Sequence, residues 1–544
     1  MRTNKILNKL LIATLFIGSY SCSDDLDIEP NDQIARENFF QSEQDFQAAT
    51  APLYNRVWFS FNDKFYFGLG DGRSYNLYAP FSDYVYPFSD LTETGLTGPL
   101  VEAWRSFYIV IQQSNNTIAA INESSVDEEI KTRYIAEARF MRGVAYWYIA
   151  SLWGDAIITT SQAEIISNPT VNKRPRTDVF EFAIRDVEYA AKHLPEQAGQ
   201  AGRVTKYTAY GMLSRLYLSY SGLSTGPNSG TRDQELLDLS KMAATKVIDE
   251  GPYSLMDDYA ELFMVENNNN PESMFALQWV PNGEYGVINP HQAYFALGSE
   301  ITGDDAAWGY YTRASYDVLQ EYERNDVRRK ATWMADGDFY PEISQANGGY
   351  LVDHENTYVN VKKGVVGSTK DHPDISRMNS GLNTYMLRLG EVYLNYAEAA
   401  LGNNASTGDP TALMYVNELR ERAGLAPKSN LTFEDIFHER RVELAMEGQF
   451  WYDLVRWSYY EQQEALNYID NQERAVITPF TYDSETNTVS VDPTVDVTTR
   501  AVGDIDASIF LLPYPESEVV QNPLLREDPV PYEFTEERIT NELF

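Results

Sequence analysis

RYIAEARFMRGVAYWYIASLWGD, residues 133–155, is the stretch that decides the fold class. Ile135, Ala138, Met141, Ala145, Tyr148, Ile149 and Leu152 recur at steps of three and four, which places them along one face of a helix over 133–153, with Gly154 as its end. The same period returns over 204–220, in Ala209, Met212, Leu213, Leu216, Tyr217 and Tyr220 before Gly222. It returns again over 386–401, in Leu389, Tyr393, Tyr396, Ala397 and Ala400 before Gly402 and Asn403. Further helices are predicted over 43–58, 100–121, 178–194, 234–250, 411–423 and 433–459. Helices of moderate length in neighbouring pairs, with small residues beside aromatics as in Ala145 and Tyr148, suggest hairpins stacked in the tetratricopeptide manner. The spacing is too irregular for a clean repeat of about 34 residues, and a bundle without repeats is the alternative.

Between the helices lie irregular stretches rich in Gly, Asn, Pro and Tyr, at 59–99, 251–312, 333–383 and 468–544. Ordered loops of this length inside a domain usually carry function. They hold much of the aromatic stock: Phe65, Tyr66, Phe67, Tyr75, Tyr78, Tyr84 and Tyr86 in the first, and Trp279, Tyr285, Tyr294, Trp308, Tyr310 and Tyr311 in the second. A short strand is predicted over 274–280. The fold class is therefore mostly α: tetratricopeptide-like helix hairpins supporting a loop-rich variable ligand face with a few short strands.

The chain has 544 residues, 43% of them hydrophobic, enough to bury a sizeable core. With 43 basic against 80 acidic residues its formal charge is −37, a field that repels phosphate backbones, so no nucleic-acid partner is expected. A single cysteine excludes an intramolecular disulfide and a Cys-rich metal centre. That cysteine, Cys22, follows Arg2, Lys5 and Lys9, an apolar run over 10–17 and the small-residue segment Gly18 to Ser21, the three-part pattern of an export signal over 1–21. The run is far shorter than the roughly 20 residues of a membrane span. A thiol at this point is where a bacterial lipoprotein receives its lipid, although Ser19 stands where leucine is usual, and the acidic Asp24, Asp25 and Asp27 that follow make 22–35 a lipidated tether. The membrane contact expected is through the lipid on Cys22.

Catalysis finds no positive support. Some pair among 80 carboxylates will fall at glycosidase spacing by chance. The five histidines, at 193, 291, 354, 372 and 438, show no metal-ligand spacing, and nucleophile-elbow, phosphate-loop and dinucleotide motifs are missing from the sequence. No cofactor and no metal is expected, although Asp304, Asp305 and the run 267–270 offer oxygens that calcium could use. Glu439, Arg440, Arg441, Glu443, Glu447, Asp453 and Arg456, on one predicted helix with Phe450, Trp451 and Trp457, read as a paired network that locks the last long helix to the stack. Carbohydrate recognition fits the loops better. Sugar C–H groups pack on aromatic faces while hydroxyls take hydrogen bonds from short polar side chains. Gly303 to Tyr311, with Asp305, Trp308, Tyr310 and Tyr311, has that composition, as do Asp71 to Tyr78, with Tyr75, Asn76 and Tyr78. Tyr285 and Tyr84 join them as candidate ligand-binding residues. The alternative for any one ring is that it staples a loop to the helices.

Taken together, the residues resemble the SusD-like (RagB/SusD) outer-membrane lipoproteins of Bacteroidetes over nearly the whole chain. The resemblance is carried by the Cys22 start and acidic tether, by Ala136 to Asp155, by Val204, Thr205 and Lys206, and by Tyr322, Asp326 and Arg328. Leu387 to Glu398, Glu439 to Trp457, and Leu512 to Pro523 complete it. It implies one domain over 36–544 with four tetratricopeptide-like hairpins. It also implies a lipid-anchored, outward-facing, non-catalytic role: capturing glycan nutrient and passing it to a SusC-like TonB-dependent transporter. In that family the ligand-contacting aromatics lie in two variable places, here Tyr75 to Tyr86 and Trp279 to Tyr311, with Trp308 foremost. A surface all-helical glycoside hydrolase and a RagB-like peptide-capturing protein are the alternatives.

Overall fold

The computed structural model describes residues 40–303, 307–353, 357–375 and 379–544; the signal, the tether with Cys22, and Asp305 lie outside the described residues. Ten principal helices form the scaffold: α1 Glu43–Thr50, α2 Gly98–Glu123, α3 Glu128–Leu152, α4 Arg176–His193, α5 Lys206–Leu223, α6 Gln234–Glu250, α7 Leu389–Leu401, α8 Pro410–Arg422, α9 Phe433–Glu443 and α10 Phe450–Ser458. From α2 to α8 each packs on the next, the nearest-neighbour order of a hairpin stack. Helix α3 is buried on almost every face from Ala136 to Leu152 because α2 and α4 cover it on both sides. Gly154 and Gly402, both with positive φ, end α3 and α7. Thr205 caps α5, its hydroxyl accepting from the Thr208 N–H at 3.2 Å.

Three boundaries differ from the periodicity, each for a non-local reason. Helix α5 runs past Gly222, which is pressed against Tyr460 and so serves packing rather than termination. Met386 to Arg388 belong to strand β6, Thr384–Arg388, which pairs antiparallel with β2, Ser273–Leu277. The helix predicted over 433–459 is two, α9 and α10, because Met446 and Gly448 take positive φ between them. Gly70 faces that break: a Cβ there would lie 2.3 Å from the Gly448 Cα, so the two backbones touch.

Asp71 completes the junction, one oxygen accepting from the Met446 N–H and the other from the Gly448 N–H, each at 2.8 Å. Asn76 donates to Asp71 at 3.1 Å and accepts from the Arg441 guanidinium at 2.9 Å. Asn76 is therefore fully buried, and Tyr75 nearly so, beneath Arg474 and Arg500. The expectation that these two residues face a ligand is corrected: short polar groups beside aromatic rings here make an internal capping loop. The region from Phe61 to Gly72 is likewise wound into two π-helical turns whose rings, Phe61, Phe65, Tyr66 and Phe67, enter the core.

The charged cluster is buried and paired, mostly across elements rather than along one helix. Glu443 accepts from Arg388 at 2.8 Å, Arg328 at 3.0 Å and Arg422 at 2.5 Å. Arg388 also reaches Glu272 at 2.6 Å and Glu447 at 2.8 Å, and Glu439 holds Arg328 and Arg420. Burial alone would raise the Glu443 carboxyl, but Arg422, Arg388 and Arg328 hold it well below the usual carboxylate range. A last segment straps the stack: the Leu512 N–H donates to the Leu152 carbonyl, the Trp153 indole to the Pro513 carbonyl, Arg538 to Glu188, and Phe544 packs on Tyr210 and Tyr217.

Removing one partner of such a network leaves its cations unpaired in a dry site. Glu443→Gln is expected to lower the unfolding free energy by about 3–5 kcal/mol. Glu518→Gln, in a pair with the half-exposed Arg105, should lower it by less than about 1 kcal/mol. Urea denaturation of both variants checks the contrast.

Candidate functional site

Short strands between α1 and α7 build a platform. Strand β3, Arg313–Ala314, pairs antiparallel with β1, Leu77–Tyr78, and with β5, Asn360–Val361, which in turn pairs with β4, Trp333–Met334. A second apolar core, including Leu77, Phe295, Ala314, Trp333 and Val361, lies against this sheet. The turn carrying Trp308, Tyr310 and Tyr311 is pinned at its edge. The Trp308 and Gly309 N–H groups donate to the carbonyls of Ala293 and Ala296, at 2.7 and 2.9 Å. The buried Asn360 amide donates to three carbonyls of the turn, those of Gly309 and Tyr310 at 3.0 Å and Thr312 at 3.2 Å. One side chain thus satisfies a run of backbone acceptors that no ladder reaches.

What the turn displays is a shelf of exposed rings. Trp308 is 45% exposed, Tyr310 44%, Tyr311 47%, Tyr285 60% and Phe81 76%. Large aromatics left in water are costly unless something covers them part of the time, and grouped ones mark a binding surface. In one group, Trp308 lies 5.6 Å from Tyr294, and Tyr285 stands edge-on to Phe59 at 4.7 Å. In the other, Tyr311 meets Phe81 at 4.8 Å and Tyr310 at 5.0 Å, while the Arg313 guanidinium sits 3.5 Å over the Tyr358 ring. The backbone Trp308–Gly309–Tyr310 joins the two groups.

Asp63 underlies the first group. It is buried, and its two oxygens accept from the hydroxyls of Tyr285 and Tyr294, both at 2.9 Å. Burial pushes the Asp63 carboxyl up, partly offset by those phenols and by Lys64; burial and Asp63 push both phenols up, so they stay protonated donors. Lys64 is itself spoken for, donating to the Tyr84 hydroxyl at 3.0 Å.

Of the sequence candidates, the structure brings Trp308, Tyr310, Tyr311 and Tyr285 to one face. Tyr84 is partly buried behind it with Lys64, and Tyr78 is partly buried under Arg500. Tyr75 and Asn76 are internal, as described above. Sequence reasoning missed Asp63, Phe81, Arg313, Tyr358 and Asn360. Phe81 and Tyr358 could have been found by extending the aromatic search to single rings beside Pro and Asn. Asp63 had no signal, since its partners are more than two hundred residues away. Among the described residues no cluster of ligating side chains fits a metal ion, and no helix is long and apolar enough to cross a membrane.

Comparison with known proteins gives two family matches. Residues 248–530 match the model of the SusD family, and residues 88–218 match a model described as starch-binding associating with outer membrane. A SusD-like protein of Bacteroides ovatus is 40% identical over 547 residues, which span 97% of this chain and 98% of that protein. A crystal structure with xylogluco-oligosaccharide is 40% identical, with a TM-score of 0.84 over 90% of this chain and 100% of the other. The surface glycan-binding protein A of Bacteroides fluxus, at 20% identity and a TM-score of 0.68 over 88% and 97% of the two chains, shares the fold.

Gly309 is the position on which the shelf turns. An added Cβ would lie 2.1 Å from the Phe295 carbonyl oxygen. Gly309→Ala is therefore expected to force the Trp308 turn off Ala296, with a loss of about 1–3 kcal/mol in unfolding free energy, read by thermal or urea melts.

Proposed function

The chain belongs to the SusD family, and on that premise we propose that it is a cell-surface glycan-binding lipoprotein, which captures oligosaccharide without cleaving it and delivers it to a SusC-like TonB-dependent transporter. The observation that carries this is the shelf of five exposed rings held by buried polar pins on a rigid scaffold. Flat faces set along one surface suit a run of sugar rings, and a neutral glycan suits a protein whose total charge is −37. The 40% identical relative in complex with a xylogluco-oligosaccharide makes that ligand the first to try. The carboxylate in contact with the rings, Asp63, has both oxygens taken by phenols, which favours binding over hydrolysis. Export by the 1–21 signal, lipid on Cys22 and the acidic 22–35 tether would hold the domain over 36–544 at the outer face of the outer membrane. The outer-membrane description of the family model matching 88–218 supports that location.

A ring stacked on sugar contributes on the order of 1–3 kcal/mol, by analogy with bases stacked on aromatics. Trp308→Ala should therefore weaken xylogluco-oligosaccharide binding at least tenfold in titration calorimetry, with a thermal midpoint close to wild type. Equal affinity in the two proteins would refute this site, and new reducing ends on incubation would point to a hydrolase instead.

A further inference from the structure

Buried carboxylates in this protein follow one pattern, and the site departs from it. Glu137, Asp186, Glu391, Glu398, Glu443 and Glu447 each have an arginine within hydrogen-bond distance, as do the other buried carboxylates among the described residues except two. The first exception, Asp71, is held by two backbone N–H groups and serves the junction of α9 and α10. The second is Asp63. Its nearest cation, Lys64, stands 3.8 Å away, and its hydrogen bonds come from two phenols that belong to the exposed shelf. An anion buried without a guanidinium is expensive for the fold, so its return is to be sought at the surface it supports.

We infer that Asp63 is a positioning residue for glycan recognition: it turns the Tyr285 and Tyr294 hydroxyl protons inward, so that their oxygens meet ligand only as acceptors, between the Tyr285 and Trp308 faces. The inference rests on the glycan-binding proposal above and deepens it, for it names the chemistry selected at that point, a free sugar hydroxyl that donates. A phenol that donates to a carboxylate keeps lone pairs for a further donor, and the charge-assisted bond makes that oxygen a better acceptor. Tyr294 also backs Trp308 at 5.6 Å, so the same carboxylate sets the spacing of the two exposed faces.

The test is a calorimetric cycle on the full chain with xylogluco-oligosaccharide, using Asp63→Asn, Tyr285→Phe and the double variant. In Asp63→Asn the amide N–H donates to one phenol oxygen and takes the lone pair offered to the sugar. About a tenfold loss of affinity is expected. Tyr285→Phe, at an exposed position, keeps the fold and should itself lose several-fold, and the double variant should lose clearly less than the product of the two. A pH series supplies a readout that a purely structural role would not move. The charged and titratable groups facing Asp63 are Lys64, Tyr84, Tyr285 and Tyr294, and the last three are neutral throughout the acidic range. Wild-type affinity should fall on acidification with a midpoint above the usual aspartate value of about 4, and Asp63→Asn should be flat over the same range. Affinity of Asp63→Asn within twofold of wild type, losses that multiply in full, or identical pH profiles would each overturn the assignment. Binding that depends on Trp308 but not on Asp63 would sink it while leaving the glycan proposal standing.

Discussion

The structure depends on one buried electrostatic knot. Arg388 ends a strand of the inserted region, Glu272 precedes the strand paired with it, Arg328 lies in the same insertion, and Arg422, Glu439 and Glu443 come from two scaffold helices. Their guanidinium and carboxylate groups meet in a space almost closed to water, where every ion must be partnered or the local fold is lost. Hydrophobic burial alone would let the inserted strands slide over the helices, because apolar contact is non-directional. Forked hydrogen bonds between planar groups do not allow that freedom. The knot therefore fixes where the ring shelf stands relative to the helical stack. It also uses a large share of the cations internally, so the solvent-facing surface is more acidic than the total charge states.

The shelf repeats this logic on a smaller scale. Asn360 gathers three carbonyls of the Trp308 turn, and Asp63 gathers two phenols, so that backbone and rings are held by interior polar atoms while their faces stay open. Rings fixed beforehand lose little freedom when a ligand arrives, which is how an open surface can bind without enclosing its ligand.

The helical stack is legible in the sequence because its apolar period is local: Ala138, Met141, Ala145 and Tyr148 declare one face within three turns. Loops rich in aromatics are equally visible, and Trp308, Tyr310, Tyr311 and Tyr285 do lie exposed together. What a composition cannot distinguish is a polar-aromatic segment facing water from one facing a partner backbone. Asp71 to Tyr78 looks like Gly303 to Tyr311, yet its Asp71 and Asn76 answer to Met446, Gly448 and Arg441, hundreds of residues downstream. The break between α9 and α10 is hidden for the same reason, since Gly448 is needed only because Gly70 leans on it. Asp63 escapes notice because a lone acid in a chain with 80 of them carries no pattern.

A stack in which each helix touches chiefly its neighbours would ordinarily fray from its ends, one hairpin at a time. Here the final forty residues cross from Leu152 through Glu188 to Tyr210 and Tyr217, fastening the third, fourth and fifth helices to a single clasp. A linear array is thereby made to melt as one body, and a platform meant to be tugged by a long polymer gains mechanical unity from its own tail.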